Sequence, residues 1–354
     1  MVAHVRGVNL GNWLVLEKWM GGSPLCGAKA EDDRAWVDEV AYDERACALE
    51  AHYRTYVTQD TFAWLAHVGV DLVRIPVPYH LFGSLHHPAC MRHLDNAFLW
   101  ADRYGLKVLI DLHTVPLSQN GFDNGGYTAL CAWSRSKRRM RETVDLLERI
   151  AARYAAQPAL WGIEPLNEPA SKRIYLANFA KNRHHLSRVV RSWPISRRRL
   201  VWFYRQVYDR VRPIVGPAVN LVFHDQFSLR GWERFDPGHG DQRVWIDTHQ
   251  YVGFADTKMR SYNVDGYLGL VDRMAEPVRE ASGHHRILVG EWSLANHAHE
   301  PTLEFYRAFA EAQLAAWDQA GGSCFWSLRV QRPGFENWSF EECVRRGWLD
   351  YAHM

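Results

Sequence analysis

Two glutamates lie far apart in the chain, each at the end of a short apolar run. Glu168 lies in the stretch Trp161-Gly-Ile-Glu-Pro-Leu-Asn-Glu-Pro169, and Glu291 lies in Arg286-Ile-Leu-Val-Gly-Glu-Trp-Ser293. Such runs are typical of buried β-strands, so both carboxyl groups should stand where a strand ends and the backbone turns outward. Paired carboxyl groups suit glycoside hydrolysis, in which one donates a proton and the other attacks the sugar or activates water.

The neighbours of the two glutamates favour different roles for them. A carboxylate that attacks must be ionised, and Arg74 and Tyr251 are candidates to stabilise the negative charge of Glu291. The other carboxyl group must hold a proton, so the opposing negative charge should raise its pKa. Glu168 is the predicted acid because His249 and the open loop side flank it.

A structural role is the alternative for two of these residues. Glu168 could be a buried carboxylate neutralised by an arginine, and Arg74 could form a core ion pair with Glu164. Asn167 favours the functional interpretation, because its amide can bind a sugar hydroxyl beside the reacting carbon.

Eight apolar strand candidates alternate with amphipathic helical stretches, which predicts a single-domain (β/α)₈ barrel over residues 1–354. The strands are predicted at Val5–Leu10, Leu72–Val77, Lys107–His113, Leu160–Asn167, Asn220–His224, Val244–His249, Ile287–Glu291 and Ser323–Leu328. The clearest helices are predicted at Thr58–Val68, Cys90–Tyr104, Arg138–Ala156, Leu200–Ile214 and Pro301–Ala320. Polar residues cluster near the C-terminal strand ends, where barrel enzymes place their chemistry.

Composition narrows the class of partner. The net charge of +2 over 354 residues gives no strong field for nucleic acid or a membrane, and neither is predicted as a partner. The 16 Trp residues suit a carbohydrate cleft, although core packing explains any one of them equally well. The start Met1-Val-Ala-His-Val-Arg6 lacks the features of a signal peptide, and the six cysteines form no CxxC pair. A cytoplasmic protein with free thiols is the expectation.

The segment 171–199 is strongly basic and is predicted to be an extended loop. It contains Lys181-Asn-Arg-His-His185 and Ser196-Arg-Arg-Arg199. One interpretation is a lid that carries Trp193 to the substrate. A solvated basic surface or a subunit contact in a homo-oligomer is favoured, because charge runs usually face solvent.

No metal or cofactor site is predicted. The 18 histidines include His297-Ala-His299 and the pairs His86-His87, His184-His185 and His284-His285, which show no partner carboxylates at ligand spacing. Gly-x-Ser-x-Gly, GxGxxG and P-loop sequences are absent from the chain.

Several longer stretches resemble glycoside hydrolase family 5, and within it the exo-β-1,3-glucanase branch. The long ones are Gly7-Val-Asn-Leu-Gly-Asn-Trp-Leu-Val-Leu-Glu17, Val73-Arg-Ile-Pro-Val-Pro78 and Asp111-Leu-His-Thr-Val-Pro-Leu-Ser-Gln-Asn-Gly-Phe-Asp-Asn-Gly125. The short ones are Asn167-Glu-Pro169, Asp247-Thr-His-Gln-Tyr251, Gly290-Glu-Trp-Ser293 and Phe325-Trp-Ser327.

The resemblance implies a retaining double displacement, with Glu168 as the acid/base and Glu291 as the nucleophile. It implies a supporting shell of Arg74, His113, Asn167, His249 and Tyr251. Four further roles are implied: Trp326 as the floor under the terminal sugar, Glu17 as the grip on its distal hydroxyls, Phe122 and Phe254 as a clamp on the next sugar, and Asp123 beside that clamp.

The predicted function is an exo-β-glycosidase that releases glucose from β-1,3-gluco-oligosaccharides or related β-glucosides, without a cofactor. One alternative is the same chemistry on another sugar or aglycone, such as a β-mannoside or a glycolipid. Another alternative is a sugar-binding barrel without catalysis.

Overall fold

A computed structural model of the chain describes residues 4–179, 183–259 and 261–352, and they form a closed barrel of eight parallel strands surrounded by helices. The predicted (β/α)₈ fold is confirmed. The strands are β1 Val5–Asn9, β2 Leu72–Val77, β3 Lys107–Leu112, β4 Leu160–Glu164, β5 Asn220–His224, β6 Val244–His249, β7 Arg286–Trp292 and β8 Gly322–Phe325.

Each strand pairs with its neighbour in sequence, and β1 pairs with β8 to close the barrel. The closing register places Val5 opposite Gly322 and Gly7 opposite Cys324. Parallel pairing in chain order brings every strand's C-terminal end to one face, where the polar residues of the strands meet.

The helices lie outside the barrel, and several begin at a side chain that accepts a backbone N–H. Ser136, Ser196 and Thr302 cap three of the long helices in this way. The α-helices are α1 Asp33–Glu39, α2 Tyr42–Tyr56, α3 Gln59–His67, α4 Met91–Tyr104, α5 Lys137–Tyr154, α6 Lys172–Phe179, α7 Leu186–Val189, α8 Arg197–Val215, α9 Val252–Ala255, α10 Val264–Ser282, α11 Leu303–Trp317 and α12 Phe340–Arg345.

The barrel interior has an apolar layer below a polar one. The apolar layer is a fully buried cluster made by Leu72, Leu109, Val222, Trp245, Leu288 and Cys324. Towards the C-terminal strand ends the buried residues become polar, beginning with Asn9, Arg74, Asp111, Glu164 and Asp247. Since the apolar layer fills the barrel, the charged layer above it is reached from one face only.

Two predicted strands end three residues earlier in the structure than the sequence suggested. Strand β4 ends at Glu164 because Pro165 follows it and has no N–H to donate to the sheet. Strand β8 ends at Phe325, and the peptide between Trp326 and Ser327 is cis. Asn167 and Glu168 therefore lie just beyond β4, in the loop rather than in the strand.

The prediction of an extended loop at 171–199 is wrong. The segment contains α6, α7 and the start of α8, and it packs on the loop after β3. The Tyr175 hydroxyl donates to Ala129 O at 2.8 Å, and Arg188 pairs with Asp32 at 2.7 Å. Trp193 is half exposed, at 54%. Tertiary packing of this kind stabilises helices too short to be read from sequence. Residues 180–182, within the basic run, lie outside the described residues.

Within the described ranges, no helix combines the length and the apolar character needed to cross a bilayer. All six cysteines are free, and Cys90, Cys131, Cys324 and Cys343 are buried.

Substitution of Gly7 by Ala tests the close approach of β1 and β8. The added Cβ would overlap the sulfur of Cys324. We expect a loss of about 1–3 kcal/mol in the free energy of unfolding, measured by chemical denaturation. Cys324→Ala should reduce the cost of Gly7→Ala, while Gly27→Ala, with nothing within 4 Å of its Cβ, should change stability by less than about 0.5 kcal/mol. An equal cost with and without the Cys324 sulfur would contradict the packing described here.

Candidate active site

A fully buried arginine, Arg74 on β2, lies at the centre of the polar layer. Its guanidinium binds both carboxylate oxygens of Glu164 at 2.8 and 3.1 Å, and it donates to Glu291 Oε1 at 3.0 Å. It also donates to the amide oxygens of Asn9 and Asn167, each at 2.9 Å. Arg74 therefore forms the core ion pair with Glu164 and also binds Glu291, so both interactions considered for it in the sequence are present.

A second cation, His249 at the end of β6, faces three carboxylates. Its Nδ1 lies 2.9 Å from Glu168 Oε1 and 3.2 Å from Glu291 Oε2, and its Nε2 lies 3.2 Å from Asp247 Oδ2. Burial lowers the pKa of His249, but Glu291 and Asp247 outweigh burial and raise that pKa well above its ordinary value. The surrounding carboxylates therefore favour the imidazolium form of His249, in which both nitrogens donate.

The two glutamates singled out in the sequence meet around this histidine. Carboxylate oxygens of Glu168 and Glu291 and a ring nitrogen of His249 lie within 4.8 Å of one another. Glu168 has a φ of +46°, in the left-handed region that non-glycine residues seldom adopt. Asn124 donates to Glu168 Oε2 at 2.9 Å, and the Tyr251 hydroxyl donates to Glu291 Oε2 at 2.6 Å.

The pKa directions of the two glutamates are the reverse of those expected from the sequence. Burial raises the pKa of Glu291, and His249 and Arg74 offset this only in part. Burial also disfavours ionised Glu168, but the hydrogen bond and charge of His249, with smaller help from Asn124, lower its pKa to about 2. The cause is the position of His249, which donates its closer hydrogen bond to Glu168.

His113, Asn167 and Trp326 form one wall of the site. His113 Nδ1 lies 2.5 Å from Asp111 Oδ2, and the Asn167 amide lies 3.3 Å from His113 Nε2. The ring of Trp326 stacks on His113 with centroids 5.6 Å apart and planes 10° apart. These contacts connect Asp111 in the barrel interior, through the ring of His113, to the indole of Trp326.

Glu17 is a buried carboxylate with spare hydrogen-bonding capacity. Its Oε2 accepts from Trp19 Nε1 at 2.7 Å, whereas its Oε1 has no partner among the described residues. Burial raises the pKa of Glu17 well above its ordinary range, and Asp123 adds to the shift. A buried polar atom without a partner is costly, so this oxygen is available for a ligand hydroxyl.

The predicted aromatic clamp residues lie in two different segments, Phe122 in the loop after β3 and Phe254 in α9. Phe122 contacts Phe227 with ring centroids 6.2 Å apart. Phe254 is 70% exposed and contacts Tyr251 and Trp338, at 5.3 and 5.8 Å. Asp123 follows Phe122 in a short 3₁₀ turn, and burial raises the pKa of Asp123.

Comparison with known proteins identifies the family. Residues 37–330 match the family model described as Cellulase (glycosyl hydrolase family 5). The chain belongs to glycoside hydrolase family 5. It is therefore a glycoside hydrolase. The alternative of a sugar-binding barrel without catalysis is set aside.

Relatives of this family 5 enzyme match over most of its length. A protein of Aspergillus fumigatus named "Probable glucan 1,3-beta-glucosidase A" is 30% identical, over 97% of this chain and 86% of the relative. A protein of Schizosaccharomyces pombe named "Glucan 1,3-beta-glucosidase 1" is also 30% identical, over 82% of this chain and 68% of its own. The fold is similar to that of a rutinosidase from Aspergillus niger, with a TM-score of 0.80, 21% identity and 98% of each chain covered.

Two residues of the family 5 site were missed in the sequence. Asn124 directly follows Phe122 and Asp123 in the sequence. Because those two residues were predicted to contact substrate, their position could have indicated Asn124 as a further site residue. His224 ends β5 as His249 ends β6, and their rings meet edge to face at 4.6 Å. Burial and the charge of His249 lower the pKa of His224 to about 3, so it stays neutral beside the imidazolium.

The expectation that the histidine pairs and His297-Ala-His299 lack carboxylate partners is wrong for two of the pairs and for His297-Ala-His299, where His297 Nδ1 lies 2.7 Å from Asp256 Oδ1. Glu31 lies beside His184 and His185 on the surface. Asp33 lies beside His87, at 2.8 Å. Sequence spacing missed all three because each carboxylate comes from a distant part of the chain.

Substitution of Arg74 by Met tests the buried charge network. We expect a loss of about 3–5 kcal/mol in unfolding free energy near pH 7, because carboxylates are left buried without their cation. Burial raises the pKa of Glu291 and Arg74 offsets part of that rise, so removal of Arg74 should raise this pKa further. Above the wild-type pKa the folded variant still holds a proton that the folded wild type has released, so its stability falls relative to the wild type as pH rises. The deficit should therefore shrink towards pH 5.

Denaturation curves at several pH values measure this deficit. Arg138→Met is the matched control, because Arg138 is 81% exposed and pairs with Glu142 on the surface of α5. An Arg74→Met deficit that is small, or independent of pH, would contradict the network.

Proposed function

We propose that the chain is a retaining exo-β-glucosidase, which releases glucose from β-1,3-gluco-oligosaccharides or related β-glucosides. The observation that carries the proposal is the closeness of Glu168 and Glu291, whose oxygens lie within 4.8 Å around His249. Retaining glycosidases hold their carboxyl groups about 5–5.5 Å apart, whereas inverting ones leave a wider gap for water.

In the proposed mechanism Glu291 attacks the anomeric carbon and forms a glycosyl ester, while the glycosidic oxygen takes a proton from Glu168 and leaves. Water, deprotonated by Glu168, then cleaves the ester and restores both groups. Arg74 at 3.0 Å and Tyr251 at 2.6 Å support Glu291 as the ionised nucleophile. Their donors are already in place, so little reorganisation is needed.

The proton for the leaving group is shared by Glu168 and His249 in this mechanism. The low pKa of Glu168 and the raised pKa of His249 favour a proton on His249 in the free site, where Nδ1 of His249 lies 2.9 Å from Glu168 Oε1. A bound sugar excludes water and favours the neutral pair, in which Glu168 holds the proton. The two groups therefore titrate as a unit.

The exo mode rests on Glu17 and Trp326. The free Oε1 of Glu17 would accept a hydroxyl of the terminal glucose, and the indole of Trp326 would stack under the ring. Phe122 and Phe254, with Asp123 beside them, would contact the next sugar unit. The preference for β-1,3-glucosides comes from the names of the relatives. The cytoplasmic location and a homo-oligomer stay predictions.

A substrate panel tests the proposed function. Purified enzyme should release glucose from laminaribiose and longer β-1,3-oligosaccharides from the non-reducing end, with the β-anomer seen first by NMR. Glu291→Gln should lower kcat by orders of magnitude while sugar binding persists. Faster release of mannose from a β-mannoside, or of glucose from a glucolipid alone, would favour the alternative substrates. First appearance of the α-anomer would exclude retention.

The Tyr251→Phe variant tests the ionised state of Glu291. Loss of a 2.6 Å hydrogen bond destabilises the carboxylate, so the pKa of Glu291, already raised by burial, should rise further. Activity requires the ionised form, and the acidic limb of the kcat/KM profile should move up by roughly one pH unit. Tyr262→Phe, on an exposed ring, is the control. An unshifted acidic limb would remove Tyr251 from the mechanism.

A further inference from the structure

Two histidines and an aspartate meet beside the sugar pocket, outside the machinery described above. His80 follows β2, His87 precedes α4, and Asp33 begins α1. His87 Nε2 lies 2.8 Å and His80 Nε2 lies 4.0 Å from Asp33 Oδ2. One ligand atom from each of the three residues falls within 4.8 Å of the others. We call these residues the Asp33 cluster.

The Asp33 cluster is enclosed but incomplete. His80 and His87 are only 7% and 4% exposed, and His80 Nδ1 has no hydrogen-bond partner among the described residues. The residues border a cavity of about 20 Å³ that is otherwise lined largely by apolar and aromatic side chains. A space of that size holds about one water-sized species. Buried polar groups normally have a hydrogen-bond partner, so the unpaired nitrogen of His80 beside this void calls for an explanation.

The donor set suits a borderline divalent cation. Imidazole nitrogen and carboxylate oxygen are ligands of Zn²⁺, and two His with one acidic residue leave a fourth position for water. An ion centred among the three atoms would lie about 2.4 Å from each at most, close to the ~2.0–2.2 Å of zinc sites. Ser84 Oγ lies 3.4 Å from His87 Nδ1, where it can accept that N–H and leave Nε2 free to bind metal.

We propose that Asp33, His80 and His87 form a Zn²⁺ site that braces the loops beside the sugar pocket. The two imidazoles are stacked at 3.7 Å with planes 12° apart, so both rings must tilt for their lone pairs to converge on one ion. Asp33 is one-quarter exposed and gives the ion an access path.

The site would stabilise a wall that the hydrolysis reaction uses. Gly126 and Tyr127 line the same cavity, directly after the Asp123–Gly125 turn. Asn124, in that turn, donates to Glu168. A bound ion would therefore join α1 and the loop after β2 next to the loop that positions this donor. It would have no part in bond cleavage.

The test is zinc binding to the whole enzyme after removal of metal with dipicolinate. Calorimetric titration with ZnCl₂ should show a site that the His80→Gln/His87→Gln variant loses, with affinity lowered by roughly 100-fold or more. Zinc should raise the Tm of the wild type by roughly 5 °C at a hundredfold excess over Kd, and leave the variant unchanged. Co²⁺ in place of zinc should give the visible absorption of a four-coordinate N/O site.

Two further variants separate this site from other histidines. His184→Gln/His185→Gln removes the exposed pair beside Glu31 and should keep both the affinity and the Tm shift. Asp33→Asn keeps the shape and a hydrogen-bond acceptor, so it covers the case in which the double histidine variant does not fold. The proposal is overturned if folded Asp33→Asn binds zinc as tightly as the wild type. It is equally overturned if the stripped wild type shows neither a zinc-dependent Tm shift nor a Co²⁺ spectrum.

Discussion

The charge of one buried guanidinium constrains the architecture of the active site. Arg74 is inaccessible to water, and a buried cation without partners costs several kcal/mol. Its partners come from separate places around the barrel: Asn9 on β1, Glu164 on β4, Asn167 beyond β4 and Glu291 on β7. Only a closed barrel in this register satisfies all of them, so fold and site depend on the same interaction. The fork geometry of arginine, with several donors in one plane, is what makes this sharing feasible.

The polar layer contains more carboxyl groups than cations, and this imbalance governs its chemistry. Arg74 and His249 are surrounded by Glu164, Glu168, Glu291 and further acids, so some protons must remain bound when the site is dry. The pKa values of Glu164 and Glu17, which burial raises well above their ordinary range, express this retention. A site that keeps mobile protons within hydrogen-bond distance of one another can supply one to a leaving group without a water chain. The apolar layer around Trp245 closes the barrel below the polar layer and contributes no charge that could balance the carboxyl groups.

The sequence predicted what depends on local pattern and missed what depends on distance in space. Strand positions, the barrel, and the meeting of Glu168 with Glu291 followed from apolar runs that end in polar residues. The pKa order of the two glutamates did not follow, because it depends on which oxygen His249 approaches more closely. The helices within 171–199 were missed because contacts such as Tyr175 with Ala129 stabilise them. The carboxylate beside His87 was missed because Asp33 comes from a remote helix.

The conformation of Glu168 links the aglycone wall to the chemistry. A glutamate at a φ of +46° carries backbone strain, which persists only where surrounding contacts hold it. Those contacts come from His249 at the end of β6 and Asn124 in the loop after β3. The loop after β3 also carries Phe122 and Asp123, the residues that we propose to contact the second sugar. A change in that loop that altered aglycone fit would therefore also move the donor to Glu168, so substrate range and proton transfer cannot vary independently in this enzyme.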